Sequence, residues 1–316
     1  MYHFCTYFDR NYLFKGLALY KSLRQHCGSF ELWVMCLDDV TREVLSDLEL
    51  PDVRLISLEE IEDGDPALVE AKSNRRLIEY YWTCTPSLPL YVLRQRPQIE
   101  TITYLDADLF FYSDPSPIYE EFGKRSILIV EHRFTPERAY FAEIHGVFNV
   151  GLVSFRNDEE GSRCLRHWRA SCLESCPARP VNGRFGDQKY LDDWPRHFRN
   201  VLVLKHKGAG LAPWNIANYK ITKDAQTLLV DSDPLIFYHF SGFRIFTPYL
   251  FDQLFRDIAK NEQNLISAPY IAELQQAIRT VRSVIPNFNH GFTKFGIRPV
   301  LRSLLYSRLT IAFPRP

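Results

Sequence analysis

The stretch Tyr104-Leu105-Asp106-Ala107-Asp108-Leu109-Phe110-Phe111 constrains this chain more than any other. Thr101 to Leu105 (TITYL) has the composition of a strand and runs straight into Asp106. In extended backbone, residues i and i+2 project to the same side, so such a strand delivers two carboxylates side by side at its end. They repel each other unless a cation lies between them, and the aliphatic and aromatic neighbours make an unpaired charge costly. Hard divalent ions such as Mg²⁺ or Mn²⁺ take oxygen ligands and bind together with substrate phosphates. A pair of solvated turn residues, the competing reading, suits a polar neighbourhood rather than this one. Asp106 and Asp108 are therefore expected to hold a metal.

The pattern around this motif predicts the fold class. Strand-like runs at His3 to Phe8, Glu31 to Leu37, Val53 to Ser57, Thr101 to Leu105 and Ser126 to Glu131 alternate with helical spacing. Helices are expected from Asn11 to His26, ahead of Gly28, and from Thr41 to Leu48. Pro66 to Arg94 reads as a long aromatic-rich helical segment broken by Pro86 and Pro89. Further on, strands at Gly151 to Phe155 and Val201 to Leu204 flank a helix near Glu159 to Glu174, and Phe237 to Phe240 is the last strand-like run. Beyond Tyr249 the chain reads as helical. This β-α-β-α-β rhythm predicts an α/β fold: a mostly parallel sheet with helices on both faces, whose ligands bind at the carboxyl ends of the strands. The first strand is followed by Phe8-Asp9-Arg10-Asn11 rather than Gly-x-Gly-x-x-Gly, and no P-loop or internal repeat is present. Asp9 and Asn11, just past that strand, are placed to meet a nucleoside.

Lys plus Arg number 38 and Asp plus Glu number 38, a balance that argues against nucleic acid as the main partner. The first residues show no basic and then apolar leader pattern, and no apolar run approaches the ~18 residues of a membrane span. Seven cysteines, an odd number, are expected as reduced thiols, Cys172 and Cys176 as packing residues. The expected compartment is the cytoplasm.

Four short motifs in order give the chain a resemblance: Asp106-Ala107-Asp108, Phe148-Asn149-Val150-Gly151, Asp187-Gln188 and Tyr238-His239-Phe240-Ser241-Gly242. Over roughly Tyr2 to Pro248 the chain resembles glycosyltransferases of the GT-A fold and is similar to the retaining glycosyltransferase family 8. The resemblance implies a UDP-sugar donor and a metal held by Asp106, Asp108 and His239. It also implies a sugar pocket lined by Asn149, with Asp187 and Gln188 beside the transferred hexose. Where the family carries Lys-Pro-Trp after His-x-x-Gly, this chain has, after Gly242, Phe243-Arg244-Ile245-Phe246-Thr247-Pro248; Ile245 stands where the Lys would be, and Arg244, one residue earlier, is expected to take over the diphosphate contact.

Read from the residues alone, several roles stay open. His239 is either a core histidine or a metal ligand; a nitrogen ligand would favour Mn²⁺ over Mg²⁺. Asp187 is either a helix N-cap or a carboxylate beside the sugar. Lys205 to Gly210, ahead of Trp214-Asn215, is an exposed loop or a cover for phosphates and acceptor. Glu79 to Thr83 is core or an acceptor platform. The function expected is metal-dependent hexosyl transfer from a nucleotide-diphosphate sugar to a glycan or lipid-linked acceptor. The alternatives are a non-catalytic nucleotide-sugar-binding module and a metal-dependent hydrolase or nucleotidyltransferase.

Two domains are expected: residues 1–255 as the catalytic unit and 256–316 as a helical basic extension. From Gln275 to Pro316 there is no Asp or Glu, and Arg279, Arg282, Lys294, Arg298, Arg302, Arg308 and Arg315 carry the charge. Two readings stand for this end: peripheral contact with an anionic membrane face, or a helix packed on the domain with its arginines in water.

Overall fold

A computed structural model of the protein describes residues 1–253, 258–294 and 309–312. Eight strands make its centre: β1 (Tyr2–Phe8), β2 (Phe30–Cys36), β3 (Val53–Ser57), β4 (Thr101–Leu105), β5 (Leu109–Phe111), β6 (Ile127–Glu131), β7 (Phe148–Arg156) and β8 (Val201–Val203). Seven of them form one sheet in the order β3-β2-β1-β4-β7-β6-β8. Neighbours run parallel except β7, which is antiparallel to both β4 and β6. This is the mostly parallel sheet expected from the rhythm of the sequence.

Strand alternation sorts the core into two layers. Phe4 and Phe8 of β1 and Leu128 and Val130 of β6 face one layer, whereas Cys5, Ile127 and Ile129 face the other. Because both faces are covered, these strands are apolar almost throughout, as in FELWVMC and ILIVE. The first layer contains the helix Leu13–His26, and the second the helices Ser87–Gln95 and Glu159–Glu174, the latter through Cys164, Leu165 and Trp168. Local chemistry marks where helices begin: the Asp38 carboxylate accepts from Thr41 N–H, and that of Asp158 from Gly161 N–H.

The segment Pro66 to Gln95 is three helices, Pro66–Ser73, Leu77–Cys84 and Ser87–Gln95. Its breaks fall at Asn74 and at Thr85-Pro86. Pro89 causes none, for it lies in the first turn of its helix, where a backbone N–H has no intrahelical partner to lose. The expectation that only helix follows Tyr249 is corrected. After β9 (Ile221–Asp224), β10 (Thr227–Val230), β11 (Asp233–Pro234) and β12 (Phe237–His239), the chain forms β13 (Arg244–Thr247), β14 (Leu250–Asp252) and β15 (Leu309–Ile311). The last three pair antiparallel as a small sheet, built from runs too short to show a period in sequence.

The long helix Lys260–Val284 inserts into the first core layer through Ile266, Tyr270, Ile271, Leu274 and Ile278. The Tyr270 ring is fully buried and stacks on that of Phe240, nearly parallel to it at 3.8 Å. Phe288 and Phe292 close on Phe14 at 5.5 and 5.4 Å. Arg279 lies on the exposed side of this helix and Arg282 lies over the Phe292 ring; Arg298, Arg302, Arg308 and Arg315 lie outside the described residues. No helix among the described residues is long and apolar enough to cross a membrane. Removing the ring in Tyr270→Ala is expected to cost about 3 kcal/mol or more in urea unfolding, the usual loss for a buried aromatic. A loss below about 1 kcal/mol would mean that this helix does not share the core.

Candidate functional site

Strand β4 ends at Leu105, and three backbone bonds then hold the two aspartates. Asp106 N–H donates to Gly151 C=O (2.9 Å), Leu109 N–H closes a turn onto Asp106 C=O (3.1 Å), and Phe240 N–H donates to Asp108 C=O (2.9 Å). Strand β5 leaves the main sheet and pairs antiparallel with β12, with Leu109 opposite His239. That register carries His239 from the far end of the chain to the carboxylates. Its Nε2 lies 3.0 Å from Asp108 Oδ1 and 3.6 Å from Asp106 Oδ2. One ligand atom from each residue falls within 4.8 Å of the others, with Asp108 and His239 buried and Asp106 partly exposed. Two carboxylates and an imidazole converging on one point suit a divalent cation of the Mg²⁺ or Mn²⁺ kind.

The electrostatics follow from crowding like charges in a partly dry place. Burial raises the Asp106 carboxyl and the neighbouring Asp108 charge adds to the rise, against the opposing pull of His239. Burial also acts on Asp108, but His239 and Lys15 overcome it and hold that carboxyl below the ordinary range. The Lys15 ammonium stands 3.6 Å from Asp108 Oδ2, itself buried, beneath the Tyr12 ring. Tyr104 O–H donates to Asp106 Oδ1 (2.9 Å).

Behind His239 lies a short relay. Asn149 Oδ1 accepts from Gly151 N–H (2.8 Å), which fixes the amide, and it also lies 3.3 Å from His239 Nδ1. An oxygen there keeps a proton on Nδ1 and leaves Nε2 toward the carboxylates, where, against the lowering by burial, Asp108 raises the imidazole above its ordinary value. Asn149 Nδ2 lies 3.4 Å from Nε2 of His132, a ring that burial keeps neutral by lowering it to about 3. Gly151 is required by contact rather than by backbone angle: a Cβ would come within 2.6 Å of Asn149 Oδ1 and 2.8 Å of His239 Nδ1. Sequence reasoning missed His132, Lys15 and Tyr104. His132 directly follows β6, and Lys15 interrupts the apolar run Leu13 to Leu19, the two signals that were available.

The triad forms part of a cavity of about 560 Å³. Asp9, Asn11 and Tyr12 line it on the β1 side, with Asn11 donating twice to the Asp9 carboxylate. Asn149, Asp187, Gln188 and Ser241 also line it, as do Tyr81 and Trp82 from Glu79 to Thr83. Gly242 and Arg244 are not among its lining residues. Gly242 turns the chain at φ +72°, and the Arg244 guanidinium lies 3.9 Å from the buried Asp252 carboxylate. Lys205 to Gly210 do not line it either. Lys205 and His206 N–H both donate to Glu121, Lys207 pairs with Asp231 (2.9 Å), and a Cβ on Gly208 would collide with Pro234 C=O. Of the segment Lys205 to Asn215, Trp214 reaches the cavity, its ring edge-on to His239 at 5.3 Å.

Asp187 is buried, and its backbone C=O accepts from the Trp168 indole N–H (2.8 Å). Burial pushes its carboxyl up to about 7; a Thr85 hydrogen bond opposes the rise, and the Asp106 charge adds to it. Gln188, not Asp187, occupies the N-cap of the short 3₁₀ turn Lys189–Asp193, and its Nε2 donates to His145 C=O (2.8 Å).

The central sheet, its helices and the Asp-x-Asp strand end define a GT-A fold resembling glycosyltransferase family 8. Among solved structures, the chain is similar to the galactosyltransferase LgtC in complex with donor and acceptor sugar analogs, with a TM-score of 0.51 at 13% identity over 94% of this chain and 98% of that one. An active-site mutant of LgtC gives 0.51 at 15% identity over 84% and 94%. At such identities the likeness is one of fold. No protein-family model matches the chain. Two Bacillus subtilis proteins align along nearly its whole length. The uncharacterized protein YfnD is 36% identical over 295 residues, covering 92% of this chain and 94% of YfnD. The uncharacterized protein YfnF is 35% identical over 301 residues, covering 92% and 96%. The chain belongs to the family of YfnD and YfnF.

The raised Asp187 carboxyl has a consequence for stability. A carboxyl held near 7 in the fold but near its ordinary value when unfolded makes the native protein lose stability as pH rises between the two. In EDTA, Asp187→Asn is expected to be more stable than wild type at about pH 8, by roughly 2–4 kcal/mol at most, with the gap closing toward pH 4. A gap independent of pH in denaturant titrations would show that Asp187 ionises in the fold as it does in water.

Proposed function

We propose that this protein is a metal-dependent, retaining glycosyltransferase that moves a hexose from a nucleotide-diphosphate sugar, a UDP-sugar in the first instance, to a glycan or lipid-linked acceptor. The observation that carries this reading is the convergence of Asp106, Asp108 and His239 in a cavity that also holds Asp187, Gln188 and Asn149. Asp9 and Asn11 take the nucleoside side. Asp106, Asp108 and His239 would hold Mn²⁺ or Mg²⁺. When bound, such an ion neutralises diphosphate oxygens as the sugar–oxygen bond breaks.

The chain's own groups do the rest. Asn149 holds the Nδ1 proton of His239, so that Nε2 is the nitrogen that would give up its proton to ligate such an ion. Lys15 covers the second oxygen of Asp108 and leaves the first for the site. Asp187, with a carboxyl near neutrality, can give or accept a hydrogen bond at a sugar hydroxyl, and Gln188 and Asn149 supply further polar contacts. Arg244, outside the cavity lining and 3.9 Å from Asp252, is left out of this reading. The reading keeps the enzyme in the cytoplasm. The basic stretch after Gln275 supports a place beside the inner membrane face, and with it residues 256–316 as a C-terminal extension of the catalytic unit.

The first test is release of free nucleoside diphosphate from a panel of UDP- and GDP-sugars with Mn²⁺, Mg²⁺ or EDTA. Release from one donor, abolished by EDTA, is expected. Asp106→Asn and Asp108→Asn are expected to lower it by at least about a hundredfold, and activity retained in either would remove the metal assignment. Asn149→Ala is expected to weaken Mn²⁺ binding about 10–100-fold in EPR titration of the free ion without donor, the usual loss for an outer-shell partner. Unchanged Mn²⁺ affinity would leave Asn149 a sugar contact alone.

A further inference from the structure

The cavity lining is of two kinds. Its acidic residues are Asp9, Asp106, Asp108 and Asp187, and among the described residues neither Lys nor Arg lines it. Much of the rest is aromatic. From the triad outward, Trp214 meets His132 edge-on at 5.1 Å, and His132 stacks on Phe134 at 4.6 Å. The series continues through Phe141 (6.0 Å from Phe134), His145 (5.4 Å from Phe141), Phe185 (4.6 Å from His145) and Trp82 (6.1 Å from Phe185). Phe134, His145, Phe185 and Trp82 are only partly buried and line the cavity. Burial lowers His145 from its ordinary value, as it does His132, so neither imidazole brings a positive charge at neutral pH.

A donor diphosphate already places negative charge in a cavity lined by four carboxyl groups, and the cationic groups beside them, His239 and Lys15, are engaged by Asp108. An acceptor bearing its own phosphate or carboxylate would add another charge with no described Lys or Arg to meet it, in a partly dry site where an uncompensated charge is costly. Partly exposed aromatic rings suit a ligand with an apolar face and polar edges. A pyranose is such a ligand: its axial C–H groups form an apolar face and its hydroxyls a polar edge.

Resting on the transferase reading above, we infer that the acceptor is an uncharged glycan terminus, its sugar ring laid against the wall formed by Trp82, Phe185, His145 and Phe134. An anionic acceptor, whether a lipid phosphate or an acidic sugar, does not fit this wall.

Saturation-transfer NMR with aromatic irradiation tests it, in saturating UDP and Mg²⁺, using methyl β-glucopyranoside, methyl β-galactopyranoside and methyl β-glucuronide as probes. A neutral glycoside is expected to bind at least about tenfold more tightly than the glucuronide, each tenfold being the usual ~1.4 kcal/mol. Phe185→Leu is expected to weaken the neutral glycoside at least about fivefold and Phe185→Tyr to restore it, consistent with a stacking contribution of ~1 kcal/mol. Equal or tighter binding of the glucuronide, indifference to Phe185→Leu, or binding of no glycoside at all would overturn the inference. Nucleoside diphosphate release by wild type without acceptor reports separately on the transferase reading, so each can fail without the other.

Discussion

Two carboxylates forced together at a strand end need a positive partner, and here that partner arrives through a single strand pairing. The β5/β12 ribbon sets Leu109 opposite His239, and the same ribbon ties Phe240 N–H to the Asp108 carbonyl. Ligand geometry is therefore a property of backbone register, which is discrete. A slip of one residue would put Tyr238 or Phe240 where the imidazole stands and turn His239 to the other face. The buried aromatic cluster of Phe110, Phe240 and Tyr270 makes that slip costly, because it would expose rings that are now fully covered. Core packing and the geometry of the Asp106, Asp108 and His239 cluster are thus one constraint seen from two sides.

Around this point the site is built in shells of decreasing charge. The carboxylates have His239 and Lys15, His239 has the Asn149 amide, and that amide leans on a neutral His132 packed between Phe134 and Trp214. Each layer fixes the one inside it by a hydrogen bond or ring contact, and Gly151 leaves the space that lets the layers approach. The cavity lining thereby carries both carboxylates suited to a cation and aromatic rings suited to an uncharged surface.

The parallel sheet was legible because both of its faces are buried, which leaves long apolar strands separated by amphipathic helices. The Asp-x-Asp motif was legible because charge at the end of an apolar strand is locally anomalous. Roles that depend on distant partners were not. Nothing near Arg244 announces that Asp252 would face it across the β13/β14 pair, and nothing near Lys205 announces that Glu121 would claim the two adjacent amides. His132 and Lys15 fall in the same class, since their meaning comes from residues far along the chain. Short strands such as β5, β13 and β14 carry too few residues to display a period, and Pro89 misled because a proline's effect depends on which turn of the helix it occupies.

The helix Lys260–Val284 holds down both the helix Leu13–His26 and the ribbon that presents His239. For a chain made from its N-terminus, this sets an order of events. The main sheet has all its strands once Val203 has emerged from the ribosome, and β12 follows some way behind. The ribbon's aromatic underside nevertheless stays uncovered until Tyr270 and its neighbours leave the exit tunnel. Contacts of such long sequence separation form late and slowly. A nascent chain therefore holds its two carboxylates near one another for a time without the packing that fixes their third partner, and competence comes only as the last long helix docks.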